Sequence, residues 1–317
     1  MTTHSAGSGA GGFGTRRWSN LVSETQFAAD LILTGIGRVS RLPMEGNMFG
    51  EISYDQTFPL HAGLHTYTSG LERLCKLALA CDGFLKTGSF ASVRNYSHKI
   101  GPLLDAIEKL GPFGDGKGYL ARPTDEYEPE LVKWLEQYSS GSGRYELLDS
   151  LSSGATELPT WETWVIFCSQ GSVSENVRWS ILMHSASGVA LRDIAAEHDL
   201  ESVAGPLLEE FEIPISEKSA AVGLAMYRRA RWVASILNEL SYYRHEELPI
   251  LGEALTAFTS TSDNFFAYEV ARLSDPDVVQ EELVAHRDNF TSSFTEDDDD
   301  PFEEESGKEP VSPPTIG

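Results

Sequence analysis

The sequence predicts an all-α protein, on three observations. Apolar residues recur at steps of three and four over several long stretches, the spacing of one helix face. No stretch shows the period-two alternation of a half-buried strand. Gly- and Pro-marked breaks separate the periodic stretches at intervals suited to helices rather than strands. At 317 residues, 41% of them hydrophobic, the chain can bury a sizeable core without a disulfide or metal staple.

Residues 1–17 are rich in Gly, Ser and Thr and read as disordered. Gly7, Gly9 and Gly12 form a G-x-G-x-x-G pattern there, but it lacks the preceding strand and following helix that a nucleotide-binding loop needs. A first helix is expected over 18–42, with Leu21, Phe27, Leu31 and Ile32 as its apolar residues and a weak end at Gly35 and Gly37. Residues 43–58 read as a loop.

The stretch from Ala62 to Leu110 organises the chain. Leu64, Tyr67, Leu71, Leu74, Ala78, Cys81 and Leu85 form one helical stripe, widened by Leu77 and Phe84 as burial in a bundle requires. Pro59 suits the start of this helix and Gly88 its stop. Glu72 and Lys76 are one turn apart in the favourable order, a pair worth about 0.2–0.5 kcal/mol if exposed. Ile100, Leu103, Leu104, Ile107 and Leu110 mark a second, shorter helix. Pro102 lacks an N–H and fits a first turn, so this helix begins near Gly101, with His98 at or just before its N-terminus.

Residues 111–127 read as an irregular connection. A third element starts at Glu128-Pro129 and carries Leu131, Trp134, Leu135 and Tyr138, with a break over 139–143. A second break at Ser152-Ser153-Gly154 is the expected boundary between two helical halves, 18–154 and 155–294. The second half opens at Pro159 with Trp161, Trp164, Val165 and Phe167, followed by a helix near 174–185. Its longest helix spans about 217–245, striped by Met226, Ala230, Val233, Leu237 and Leu240, with Trp232 and Ile236 on the flank. Shorter helices are expected near 250–259, 264–273 and from Pro276 to about Asn289.

The formal charge is −24, of which the run from Glu296 to Glu309 supplies −8, leaving −16 on the rest. An acidic body repels phosphate backbones at long range and argues against general binding of double-stranded DNA. The acidic tail over 295–317 reads as solvated, with docking to a basic protein partner as its other expected use. Cys75, Cys81 and Cys168 are an odd number in apolar helical surroundings and read as buried free thiols. With no apolar run near the roughly 18 residues of a spanning helix and no apolar signal core, no membrane association is expected, and the location expected is cytoplasmic.

The motif Gly70-Leu71-Glu72-Arg73-Leu74-Cys75-Lys76-Leu77, a Gly-marked turn, and then His98-Lys99-Ile100-Gly101-Pro102-Leu103-Leu104 resembles the HEPN-like helical domains of prokaryotes. The resemblance covers roughly residues 60–110. It implies a HEPN-like helical bundle extended by further helices. It also implies a homodimer with RNA as partner and, in many members, metal-independent RNA cleavage in defence, toxin or stress systems. The family's active motif is an arginine, a polar residue, three to five further residues and a histidine. Arg94-Asn95 followed by His98 has the right residue types in the right neighbourhood, one residue too close. Arg192-Asp193 followed by His198 has the right spacing outside the resembling stretch. In such a site histidine is the base for a 2′-hydroxyl, arginine holds phosphate oxygens, and Asn or Asp orients either. The alternative expectation is a non-catalytic helical module for dimerisation or partner binding that carries a degenerate form of the motif.

Other chemistry is less well supported. Residues 191–210 resemble a helix-turn-helix in outline, but the second helix has no Lys or Arg, so the segment reads as two packed helices. Arg228, Arg229 and Arg231 beside Tyr227 and Trp232 form a candidate RNA-binding face or an ion-paired outer helix face. His61 and His65 are spaced to share a metal, but no third ligand is evident beyond Glu72. With no HExxH, paired CxxC, Walker loop or serine-nucleophile elbow, neither a metal nor a cofactor is expected.

Overall fold

A computed structural model describes residues 16–42, 54–90, 92–110, 120–124, 128–153, 159–184, 216–243, 248–260 and 262–267. Among these, all regular structure is helical. The helices are α1 (Arg16–Ser40), α2 (Tyr54–Thr87), α3 (Ile100–Glu108), α4 (Glu128–Ser139), α5 (Ser142–Ser153), α6 (Pro159–Gln170), α7 (Glu175–His184), α8 (Glu217–Tyr243) and α9 (Thr256–Thr259). Short 3-10 turns occupy Arg94–Tyr96 and Gly252–Leu255. None of these helices is long and apolar enough to cross a membrane.

The expected stripe of α2 is buried from Leu64 to Cys81, while Leu77, Phe84 and Leu85 are partly buried against the same core. Leu64, Tyr67, Leu71, Leu74, Ala78 and Cys81 are all fully covered, as are Ile100, Leu103, Leu104 and Ile107 of α3. The two ridges share one core and their helices pack together. Helix α2 also touches α1, α4 and α8. At its C-terminal end Gly88 takes φ +73° and its N–H bonds to the Phe84 carbonyl at 2.7 Å, a left-handed cap that a side chain would strain.

Two expectations for the first helices need correction. Pro59 lies inside α2, which starts at Tyr54. The helix accepts the loss of the one hydrogen bond a proline N–H cannot make, because its neighbours Leu60 and Leu64 are fully buried. Helix α1 runs unbroken through Gly35 and Gly37. The reason is close approach: a Cβ at Gly35 would stand 2.6 Å from the Tyr67 backbone nitrogen, and one at Gly70 2.8 Å from the Ala28 carbonyl. Early residues of α1 therefore meet late residues of α2, and the pair runs antiparallel. Phe27 is half-exposed, with Arg73 above its ring at 5.0 Å.

Helix α8 departs furthest from its expected stripe. Between Ser219 and Ser241 every residue except Arg228 and Asn238 is buried, Trp232 and Ile236 included. The helix packs against α1, α2, α3, α6, α9 and the Gly252–Leu255 turn, so no broad face is left for solvent. Tyr67 donates to the Met226 carbonyl at 2.8 Å, and Ser219 donates to the Leu42 carbonyl at 2.6 Å. Trp161, Trp164 and Phe167 of α6 and the buried face of α8 join the same core as Leu64.

Helices α4 and α6 begin where Glu128-Pro129 and Pro159 mark them, and Leu131, Trp134, Leu135 and Tyr138 are buried as expected. Helix α5 instead leaves Tyr145, Leu148 and Leu151 exposed. Cys75, Cys81 and Cys168 are buried free thiols. Burial pushes both Cys81 and Cys168 up to about 12, so neither is a nucleophile in the native fold.

Candidate functional site

The site is built where the C-terminal half of α2 faces the turn leading into α3. Glu72 and Lys76 lie one turn apart on α2, and Lys76 Nζ donates to Glu72 Oε1 at 2.6 Å. This pair is more than an exposed ion pair: the side chains are only 12% and 21% exposed. The second Glu72 oxygen, Oε2, lies 2.9 Å from His98 Nδ1. An ionised carboxylate only accepts, so Nδ1 carries the proton of this contact, and in the neutral ring Nε2 is then the acceptor, on a side chain that is 60% exposed. Burial works against the Glu72 charge. Hydrogen bonds from Lys76 and His98, with their charges, outweigh it and hold the carboxyl below its usual range.

The His98 backbone is also gripped. Ser97 takes φ +53°, a left-handed conformation uncommon outside glycine, and its carbonyl accepts from Lys76 Nζ at 2.8 Å. The His98 carbonyl accepts from Ser139 Oγ at the end of α4, at 2.7 Å. Two residues later α3 begins at Ile100, so the expected position of His98 just before a helix is the observed one. The Arg94–Tyr96 turn precedes it, with Asn95 exposed. The Arg94 guanidinium lies outside the described atoms.

An open cleft of about 460 Å³ lies in front of this arrangement, lined by Glu72, Arg73, Lys76, Val93, His98 and Arg144 among others. Arg73 pairs with Glu24 across the α1–α2 groove. Arg144 enters from the first turn of α5. Sequence reading singled out His98 but missed Ser139 and Arg144. The Gly-containing break at 139–143 announced a turn, and nothing local showed that the turn folds back onto α2.

The other expected sites fare differently. Arg192, Asp193 and His198 lie outside the described residues, as do the helix-turn-helix-like segment around them and the acidic tail. The basic cluster of α8 is not an open face. Arg229 is fully buried, and Arg231 is 9% exposed. Arg228 Nη2 pairs with Asp263 Oδ2 at 2.6 Å, and Arg231 Nη1 with Asp263 Oδ1 at 3.1 Å. Arg231 also donates to the Ser262 carbonyl at 2.6 Å and stands 5.4 Å over the Tyr227 ring. These guanidinium groups fix the 262–267 segment to α8. With Arg229 and Arg231 covered and Arg228 part-exposed but paired with Asp263, these contacts describe the ion-paired alternative for the cluster rather than an open basic face.

His61 and His65 do not share a site either. His61 Nε2 faces Glu146 Oε2 at 3.2 Å, while His65 lies near Arg144. Glu146 also accepts the Thr160 N–H at 2.9 Å, capping the start of α6. Among the described residues no group of three metal-binding side chains forms. No family model, curated protein or solved structure matches the chain.

Proposed function

We propose that this chain acts on single-stranded RNA, with His98 as general base, in the manner that its resemblance to HEPN-like domains implies. The observation that carries the reading is the Glu72–His98 contact. A buried carboxylate fixes Nδ1–H, and the opposite nitrogen is left free to take a proton at the mouth of a cleft with cationic walls. In the reaction, His98 Nε2 removes the proton of a 2′-hydroxyl. The 2′-oxygen bonds to phosphorus, the bond from phosphorus to the 5′-oxygen breaks, and the leaving oxygen takes a proton from water. Lys76 is already engaged by Glu72 and Ser97, so its role is to hold the base rather than to donate. A homodimer acting in a bacterial defence or stress response belongs to the same reading.

The test is incubation of purified full-length protein with single-stranded RNA in the presence of a chelator. Fragments ending in a 2′,3′-cyclic phosphate and a 5′-hydroxyl support the reading. Intact RNA at high enzyme concentration refutes it.

One observation favours the second reading, a non-catalytic helical partner-binding module. Arg73, Lys76 and His98 each already face a carboxylate of this chain, as expected of a surface ion-pair network. RNA that stays intact while a protein partner co-purifies identifies that case.

A further inference from the structure

Among the described residues, Arg144 is the cation of the cleft for which no carboxylate partner is seen. The chain has 48 acidic residues against 24 basic ones, so a guanidinium finds a carboxylate easily. Arg73 has Glu24, Lys76 has Glu72, Arg122 has Asp105 and Glu108, and Arg178 has Glu217. Arg144 has no carboxylate partner among the described residues, and its Nε and Nη2 are buried without a hydrogen-bond partner. Leaving a buried charged donor unmet costs more than leaving a neutral one. Arg144 also lines the cleft beside His98, so its charge acts on an anion seated there.

The local backbone is arranged to bring this side chain in. Helix α4 ends at Ser139, whose hydroxyl holds the His98 carbonyl. Gly141 then takes φ +124°, and a Cβ at Gly143 would stand 2.6 Å from the Tyr138 ring. Only a chain without side chains at these points turns so tightly. Arg144 follows at once and reaches the cleft that His98 lines. One corner thus sets both the base and the unpaired cation. The positive charge is felt next door: burial, and after it the Arg144 charge, holds His65 below its usual range.

We infer that Arg144 seats a phosphate group of single-stranded RNA in the cleft lined by His98, as a substrate-binding residue outside the Arg94–His98 motif. The inference rests on the RNA reading above and adds the residue that grips the strand. A planar fork matches phosphate oxygens, and the cleft volume lies within the range of small-ligand pockets, which suits single nucleotides and not a duplex.

The experiment measures binding separately from cleavage. A labelled single-stranded RNA oligonucleotide with 2′-O-methyl groups, which cannot be cleaved by this route, is titrated into full-length wild type, Arg144→Gln, Arg144→Lys and Arg178→Gln at several salt concentrations. Inorganic phosphate is the second probe, read by the titration of His65 in NMR. Arg144→Gln is expected to weaken RNA binding by about tenfold and to reduce the salt slope by about one. Arg144→Lys should fall between it and wild type, and Arg178→Gln should match wild type. Phosphate should raise the His65 titration midpoint in wild type and Arg178→Gln, and leave it unchanged in Arg144→Gln.

Equal RNA affinity for wild type and Arg144→Gln overturns the inference. So does binding of inorganic phosphate without binding of RNA, which marks a free-anion pocket, and so does binding of neither. Should Arg144→Gln not fold, equal affinity for Arg144→Lys and wild type overturns it in the same way. RNA that binds through Arg144 and is never cleaved sinks the catalytic reading and leaves this one standing. Cleavage with unchanged KM in Arg144→Gln does the reverse.

Discussion

Ser139 Oγ donates a 2.7 Å hydrogen bond to the His98 carbonyl, tying the last residue of α4 to the residue just ahead of α3. Ser139 is 2% exposed, so removing its hydroxyl takes a covered donor out of this part-buried bond. Ser139→Ala is expected to cost about 0.5–1.5 kcal/mol in urea denaturation. It should also lower RNA cleavage without abolishing it, because Glu72 still holds the ring.

Glu72 serves two cations at once. Glu72→Gln keeps the shape, removes the charge and no longer dictates which His98 nitrogen is protonated. Cleavage should fall by a factor on the order of 10², the lower range of what positioned acid–base groups contribute. NMR of the His98 ring should show Nδ1 and Nε2 protonation mixing in place of one form. A single unchanged form would show that Glu72 does not orient the ring.

Acid should lower the protein's stability in two stages. His65 is held below its ordinary value of 6.5, so below that pH the unfolded chain binds a proton that the folded chain resists, and stability falls. Glu72 and Glu146 are each held below 4.5; burial opposes this, and hydrogen bonds outweigh it. Their contribution is complete above that pH and is lost as pH falls through their lower folded values. Urea midpoints from pH 8 to 3 should therefore show a shallow loss beginning near 6.5 and a steeper one beginning near 4.5. Arg144→Gln should shrink the first step and leave the second.

Helices α1 and α2 meet backbone to backbone at glycine. Gly70→Ala would put a methyl 2.8 Å from the Ala28 carbonyl and 2.9 Å from the Ile32 nitrogen, contacts that no side-chain motion relieves. The expected loss is about 1–3 kcal/mol or more by thermal or urea unfolding, despite alanine's higher helix propensity. A neutral or stabilising effect would mean that the two helices are further apart.

Much of the bundle was legible in the sequence because it follows from local periodicity. The α2 stripe, the Gly88 cap, the start of α3 after His98 and the buried Trp134 and Tyr138 all depend on neighbours within a few turns. The rest depended on distant parts of the chain. Pro59 read as a helix start and Gly35 as a weak point near a helix end, yet burial of Leu60 and the close approach of Tyr67 carry the helices through them. Arg229 and Arg231 read as part of a basic face, but the elements packed on α8 cover both. In the site, His98 and the Glu72–Lys76 pair were visible as separate motifs. Their meeting was not, because it needs α2 and the turn before α3 in register. Arg144 was hidden for the same reason, since its place is set by a corner two helices away.

The most direct measurement is the single-turnover cleavage rate of one single-stranded RNA by wild type and His98→Ala near neutral pH, with both proteins shown to be folded. The account predicts a drop of at least about 10²-fold in the variant, partly restored by added imidazole. Equal rates for the two proteins, or no cleavage by wild type, would contradict it.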